Sequence, residues 1–137
     1  MITISDWLRS YQDLPQNTVH NTRHVEGVCK IVTGARSLFA KVGITISPSD
    51  NLVFEYSLTE AIKKRSEDEK WIEYFCLGVL DMMLAGPPTP ICCFQCNIDY
   101  LEYHDIDSTK QAFRLAGRDA ARNFLSQENF NKVSSTH

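Results

Sequence analysis

A chain of 137 residues with 43% hydrophobic residues has the size of one domain and is able to bury a core of its own. Its 14 Lys and Arg residues against 17 Asp and Glu residues give a formal charge of -3, without the basic excess typical of non-specific nucleic-acid binding. No apolar run has the length of a membrane span or the uninterrupted core of a signal peptide, and the cysteines number five, which is odd. We therefore expect a soluble cytoplasmic protein with reduced thiols.

The first 22 residues are predicted to form an extension that precedes the domain. Trp7, Leu8 and Tyr11 follow roughly helical spacing after Ser5, which favours a short N-terminal helix. Pro15 would interrupt that helix.

Residues 23–42 allow two interpretations. Apolar residues are frequent but irregular from 24 to 32, and a turn signal at Thr33 and Gly34 follows, which suits a strand. A helix over about 23–42 is the alternative, because four residues also fit a helical stripe: Val25, Val28, Cys29 and Val32. The pattern by itself leaves both open.

Two strands are predicted next, joined by the turn residues 48–51. Alternation over 41–47 places Val42, Ile44 and Ile46 on one face of the first strand. The second strand, over 52–58, alternates in the same way, with four apolar residues on one face: Leu52, Phe54, Tyr56 and Leu58.

A capping box at Ser66 and Glu69 predicts that a helix begins there. Its core-facing residues have three-four spacing, and the Gly-Pro-Pro run at 86–88 ends it. These core-facing residues are Trp71, Ile72, Phe75, Cys76, Val79, Leu80 and Met83.

Period-two alternation then predicts a half-buried strand after Pro90, with Cys92, Phe94, Cys96 and Ile98 on one face. A second capping box, formed by Ser108 and Gln111, predicts a helix. One face of this helix carries Ala112, Phe113, Ala116, Ala120 and Phe124. The summed prediction is an α+β two-layer sandwich, with about four strands and two helices on one face of the sheet, over residues 23–127. A polar, flexible tail follows at 128–137.

The segments GP at 86–87, PI at 90–91, YHDIDS at 103–108 and AFRLAG at 112–117 occur in the order found in domain IV of elongation factor G. HVEG at 24–27 is similar to the Thr-Val-Glu-Gly of that family. The chain therefore resembles elongation factor G domain IV over about residues 24–126. The resemblance implies a strand rather than a helix at 24–32, and the two-layer fold shared with domain 2 of ribosomal protein S5.

This resemblance also implies a function and a site. The family domain reaches the decoding centre of the small ribosomal subunit through two neighbouring loops, which correspond here to residues 33–41 and 102–108. The implied RNA- or partner-binding residues are Gly34, Arg36, Lys41, Glu102, His104, Asp105 and Asp107. No Gly-x-x-x-x-Gly-Lys-Ser/Thr motif is present, so neither nucleotide binding nor another cofactor is expected.

The sequence departs from the family in both loops. Ala35, Ser37 and Leu38 stand where the family has Gly, Gly and Gln, and the loss of glycine changes the shapes that the backbone is able to adopt. Leu101 and Glu102 replace a Gly-Ser and add bulk and negative charge beside His104.

Three further patterns have competing interpretations. His104 either contacts RNA or belongs to a structural loop, in which Asp107 and Ser108 cap the following helix and Ile106 packs inward. A hydrolase site built on Ser108 is disfavoured, because a serine that caps a helix is not an activated nucleophile. Cys93 and Cys96 suggest a metal or redox pair, but residues three apart in a strand point to opposite faces, so ordinary thiols are favoured and no metal is expected.

A basic stripe on the last helix has two interpretations. It either binds phosphate or an acidic partner, through Arg114 and Arg118, or it is a solvated face, and the solvated face is favoured. This stripe consists of Lys110, Arg114, Arg118 and Arg122.

We conclude from the sequence that the chain is a free-standing, non-catalytic module that binds the small ribosomal subunit or another translation component. The alternative is an immunity protein or antitoxin that reuses this fold to block a basic protein toxin. The lost loop glycines and Glu102 favour the inhibitor, whereas the retained segment 103–108 favours translation.

Overall fold

The computed structural model describes residues 19, 21–33, 36–85, 91 and 93–127, with only the backbone of residues 33 and 36. The elements in chain order are β1 (Arg23–Thr33), β2 (Arg36–Pro48), β3 (Val53–Tyr56), α1 (Glu60–Asp68), α2 (Trp71–Met83), β4 (Phe94–Glu102) and α3 (Lys110–Gln127). The predicted N-terminal helix and the tail at 128–137 lie outside the described residues. None of the helices in the described part is both long and apolar enough to cross a membrane.

The four strands form one mixed sheet in the order β1-β2-β4-β3. The strands β1 and β2 are antiparallel, β2 and β4 are antiparallel, and β3 runs parallel to β4. The helices α2 and α3 pack against the same face of this sheet, so the predicted α+β two-layer sandwich is confirmed. A third helix, α1, was not predicted.

Residues 23–33 form a strand, which resolves the ambiguity of the sequence pattern. Val25 and Cys29 are only 4% and 5% exposed, whereas Val28 and Val32 are 39% and 75% exposed. A helical stripe would bury all four, while a strand buries alternate residues. Burial of Gly27 between Val25 and Cys29 completes the period-two pattern.

The predicted loop at 33–41 is wrong for most of its length. The strand β2 begins at Arg36, and Thr33 pairs with Arg36, so only two residues connect β1 to β2. Leu38, Ala40 and Val42 are buried along one face of β2, and the pairing of β2 with β1 runs from Ile46 back to Arg36. Lys41 consequently lies within a strand and not in a loop.

The capping box predicted at Ser66 is also wrong. Helix α1 already contains Ser66, which is fully buried, and the Glu69 amide donates to the Arg65 carbonyl as a continuing helical bond. Lys70 then takes a left-handed conformation with φ of 61°, which breaks the helix, and α2 starts at Trp71. The chain therefore changes direction at Lys70 without a side-chain cap.

The two long helices touch each other through glycines. A Cβ atom added at Gly78 would lie 2.0 Å from the Arg114 carbonyl oxygen, and one added at Gly117 would lie 2.2 Å from the Phe75 carbonyl oxygen. This close approach lets both helices cover the sheet. The predicted apolar faces of α2, β4 and α3 are buried in the core, except that Ile72 is partly buried and Cys92 lies outside the described residues. The largest fully buried side chains include Trp71, Phe75, Leu80, Phe94, Ile98, Phe113 and Phe124.

Candidate functional site

The segment between β4 and α3 forms a closed turn that is attached to β2. The Ser108 amide donates to the His104 carbonyl over 3.0 Å, and the Phe39 amide donates to the Asp107 carbonyl over 3.1 Å. The turn therefore lies beside the hairpin of β1 and β2, near the end at which residues 34 and 35 connect the strands. We call Phe39 and residues 104–108 the tip cluster.

Ser108 fastens this turn and does not cap the helix. Its hydroxyl group donates to the Phe39 carbonyl over 2.7 Å and accepts from the His104 amide over 2.9 Å, in a position only 8% exposed. The cap of α3 is Thr109, whose hydroxyl oxygen accepts from the Ala112 amide over 3.1 Å. The predicted cap is wrong because β2 presents a carbonyl group to Ser108. A hydroxyl group bonded in this way to two backbone groups is not positioned as a nucleophile.

The imidazole ring of His104 is stacked on Phe39. The ring centroids lie 3.9 Å apart with an interplanar angle of 6°, and the His104 side chain remains 53% exposed. Its Nδ1 atom lies 3.9 Å from an Asp107 carboxylate oxygen. Phe39 is 9% exposed and provides a fixed support, which orients one ring face of His104.

Ile106 was predicted to pack inward, and that prediction is wrong, since its side chain is 90% exposed. The turn is closed at its base by the bond between Ser108 and His104, so its middle residues project away from the sheet. Asp105, beside Ile106, is 77% exposed. The tip cluster thus presents an apolar side chain next to an aromatic ring and two carboxylates.

Arg65 holds the tip cluster from the side and was not identified in the sequence. Its guanidinium carbon lies 5.2 Å from the ring centroid of Trp71 and 5.2 Å from that of Tyr103. It also donates to Asp105 over 3.1 Å. No local pattern indicates this contact, because Arg65 and Asp105 are 40 residues apart in the chain.

Lys41 and Glu102 face each other across β2 and β4. The Lys41 ammonium group lies 6.0 Å from the centroid of the Tyr100 ring, and the Tyr100 hydroxyl group donates to Glu102 over 2.7 Å. This hydrogen bond raises the pKa of Tyr100. The two predicted site residues therefore belong to a small polar group beside the tip cluster. Gly34 and the Arg36 side chain lie outside what the structure describes.

Arg114 and Arg118 lie away from the tip cluster, where both bind Asp81 of α2. Arg114 donates twice to this carboxylate, over 2.9 Å and 2.9 Å, and Arg118 donates once over 2.8 Å. The hydrogen bond from Arg114, followed by that from Arg118, lowers the pKa of Asp81. The basic stripe is therefore in part a clamp between α2 and α3, and the solvated face favoured by the sequence is correct only in part.

The cysteine pair follows the strand geometry. Cys96 is fully buried on the helix-facing side of β4, and this burial raises the pKa of its thiol, whereas Cys93 is only partly buried. Within the described ranges, no three His, Cys, Asp or Glu side chains are grouped so as to hold a metal ion.

Comparison with known proteins agrees with this architecture. A crystal structure of a protein from Thermus thermophilus superposes with a TM-score of 0.68 at 21% sequence identity, over 77% of this chain and 16% of that chain. At this identity the match is evidence for the fold alone, and the present chain spans about a sixth of that protein. The family model described as elongation factor G, domain IV, matches residues 14–128. The chain therefore belongs to the elongation factor G domain IV family.

Proposed function

We propose that this translation-factor-like domain is a non-catalytic module that engages the decoding region of the small ribosomal subunit with its tip cluster. The proposal depends on membership of the family and on one observation in particular. That observation is the His104 ring, which is stacked on Phe39 and remains half exposed at a protruding turn.

The geometry suits RNA recognition by shape and stacking. Single-stranded or splayed bases stack on aromatic and imidazole rings, and an imidazole N-H group donates to phosphates and base edges. The His104 ring is oriented before binding, because Phe39 supports it and Ser108 holds its backbone. Little side-chain entropy would then be lost when RNA binds.

The hairpin of β1 and β2 supplies the second part of the proposed surface. Arg36 lies three residues before Phe39 in β2, which is about 10 Å along a strand. Arg36 therefore begins β2 at the same end of the sheet as the tip cluster. We assign Gly34, Arg36, His104, Asp105 and Asp107 to this contact surface, with Lys41 and Glu102 at its border.

A protein partner is the second candidate, and the charge of the tip supports it. Glu102, Asp105 and Asp107 are three acidic residues within three positions of His104 in the chain, and their charge opposes binding to a phosphate backbone. A basic protein toxin, bound as by an immunity protein or antitoxin, would complement these groups. Arg65 neutralises Asp105 in part, so the acidic character is weaker than the sequence implies.

The test is co-sedimentation of the purified protein with small ribosomal subunits at low and at moderate salt. We expect salt-sensitive binding that His104→Ala weakens by about tenfold, since stacking on a base contributes about 1–3 kcal/mol. His24→Ala is the matched control, because its side chain is 52% exposed and also lies beside a carboxylate, that of Asp99. His24 stands at the start of β1, about 30 Å along the strand from the hairpin end.

Absence of binding at low salt would contradict the ribosome proposal and leave the protein partner as the explanation of the acidic tip. Equal loss in the His104→Ala and His24→Ala variants would show that the binding surface lies elsewhere. Circular dichroism of both variants checks that the fold is retained.

A further inference from the structure

Among the described strands, β1 is at the edge of the sheet, and side chains of helix α3 bond to its first half. The Asn123 side chain donates to the Glu26 carbonyl over 2.7 Å, and the Val28 amide donates to an Asp119 carboxylate oxygen over 2.9 Å. Both backbone groups point away from β2. Side chains of α3 thus bond to two outward backbone groups of β1, at Glu26 and Val28.

No described residue covers the second half of the same edge, which we call the open edge. In an antiparallel pair, residues two apart direct their N-H and C=O groups to the same side, so Lys30 and Val32 point outward as Val28 does. Among the residues that the structure describes, nothing hydrogen-bonds to these outward groups of Lys30 and Val32. The open edge therefore offers a short ladder of alternating donors and acceptors.

A groove of about 340 Å³ lies between this edge and α3. Ile31 and Leu115 supply apolar lining, and Arg118, Asp119 and Arg122 supply charge. Exposed apolar side chains continue along the strand, because Val28 is 39%, Ile31 is 40% and Val32 is 75% exposed. An open strand edge, an adjacent groove and exposed valines at one place are typical of a surface that accepts an extended chain.

The charges of this surface indicate the charge of the peptide that would bind it. The Arg122 side chain is 61% exposed, and its Nη1 atom lies 3.8 Å from an Asp119 carboxylate oxygen. The Arg118 side chain is 42% exposed and also binds Asp81. Arg118 and Arg122 give the groove two positive charges beside the carboxylate of Asp119, while the Lys30 side chain lies with Val28 and Val32 on the other face of the strand. The surface is therefore basic on a chain whose formal charge is -3.

We propose that the open edge at Lys30 and Val32, with the groove beside α3, binds an acidic peptide segment as a fifth strand of the sheet. Acidic side chains at every second position meet Arg118 and Arg122 in the groove. The alternate apolar side chains cover Val28 and Val32 on the other face of the sheet.

A peptide fits this surface better than RNA does. The open edge presents N-H donors and C=O acceptors in alternation, whereas a phosphate backbone supplies acceptors only. Asp119 within the groove repels phosphate. Lys30 pairs with Phe39 of the tip cluster, so the peptide would bind beside that cluster, but its binding does not require the ribosome.

The probe is a labelled heptapeptide in which Glu and Val alternate, followed by fluorescence anisotropy and by amide chemical shifts of the protein. We expect the largest shift changes at the Lys30 and Val32 amides. Lys30→Pro removes one outward N-H group without breaking a bond to β2, and Arg122→Glu reverses a groove charge; each is expected to weaken binding by about tenfold or more. Lys64→Glu makes the same charge change at an 80% exposed site on α1 and is expected to retain binding.

Two further peptides test strand addition without altering the protein. One carries N-methyl groups on its Val residues, the other on its Glu residues. In an added strand, either the N-H groups of the Val residues or those of the Glu residues face β1. One of the two peptides should therefore lose binding and the other should keep it. Equal binding of both N-methylated peptides, or no binding at about 1 mM peptide, would overturn the proposal. A short oligouridine that shifts the Lys30 and Val32 amides when the peptide does not would assign the surface to RNA instead.

Discussion

Replacement of Ser108 by alanine separates the fastening of the tip cluster from the capping of helix α3. The Ser108 hydroxyl group makes two hydrogen bonds, with the Phe39 carbonyl and the His104 amide, in a nearly buried position. Ser108→Ala leaves both backbone groups without that partner. The bond from the Phe39 amide to the Asp107 carbonyl is retained, so the turn is loosened rather than lost.

The expected cost follows from these two bonds. A typical intramolecular hydrogen bond contributes about 1 kcal/mol net, and an unsatisfied buried partner costs about 1–3 kcal/mol. Water reaches the His104 amide more readily than the Phe39 carbonyl, because His104 lies in the exposed turn. We therefore expect Ser108→Ala to lower the free energy of unfolding by about 2–3 kcal/mol.

The assay is urea denaturation together with amide hydrogen exchange, with Thr109→Ala as the matched variant. Ser108→Ala is expected to accelerate exchange at His104 and to leave the Ala112 amide protected. Thr109→Ala removes the cap of α3, so it should accelerate exchange at Ala112 and cost about 1 kcal/mol. Faster exchange at Ala112 in Ser108→Ala, with His104 unchanged, would refute the reasoning and restore Ser108 as the cap.

Three further changes test the helix layer by thermal or urea denaturation. Gly117→Ala should destabilise the protein by about 2 kcal/mol or more despite better helix propensity, because the new methyl group would lie 2.2 Å from the Phe75 carbonyl oxygen. Asp81→Asn should cost about 1 kcal/mol near pH 7 by weakening the pair with Arg114, and the difference should vanish at acid pH. Ser66→Ala should stabilise the protein by about 1 kcal/mol, since the buried Ser66 hydroxyl group has no hydrogen-bond partner among the described residues.

The pH dependence of the Asp81 variant has a definite sign. The hydrogen bond from Arg114 holds the pKa of Asp81 below its ordinary value in the folded protein. Its contribution is therefore present above the unfolded pKa of about 3.9 and is lost as the pH falls through the lower folded value. A difference between wild type and Asp81→Asn that grows on acidification would contradict the clamp. A stabilising Gly117→Ala or a destabilising Ser66→Ala would contradict the packing described around those residues.

Periodicity in the sequence was sufficient for the elements whose burial is one-sided. Phe94, Cys96 and Ile98 alternate with polar residues and are buried on one face of β4. The apolar stripe from Trp71 to Met83 likewise identified the buried face of α2. These predictions succeeded because the period of the chain decides which side chains share a face, whatever the neighbouring element is.

Sequence pattern was insufficient where the nearest neighbours in space decide the structure. At Ser66 and Ser108 the capping-box spacing is present, but Ser66 lies within α1 and Ser108 bonds to β2, 69 residues earlier at Phe39. The exposure of Ile106 depends on how the turn closes, which its apolar character does not reveal.

The long-range contacts of the site depended entirely on the tertiary structure. Arg65 donates a hydrogen bond to Asp105, 40 residues later in the chain. Asp81 accepts hydrogen bonds from two arginines of α3, which lie 33 and 37 residues later. The open edge of β1 follows from the strand order, which within the described residues places no strand beyond it. The sequence alone determined which faces are apolar, which family pattern is present and that the chain has the composition of one domain. Only the packing of strands and helices decided which polar groups meet, because hydrogen-bond partners are chosen by proximity in space and not along the chain.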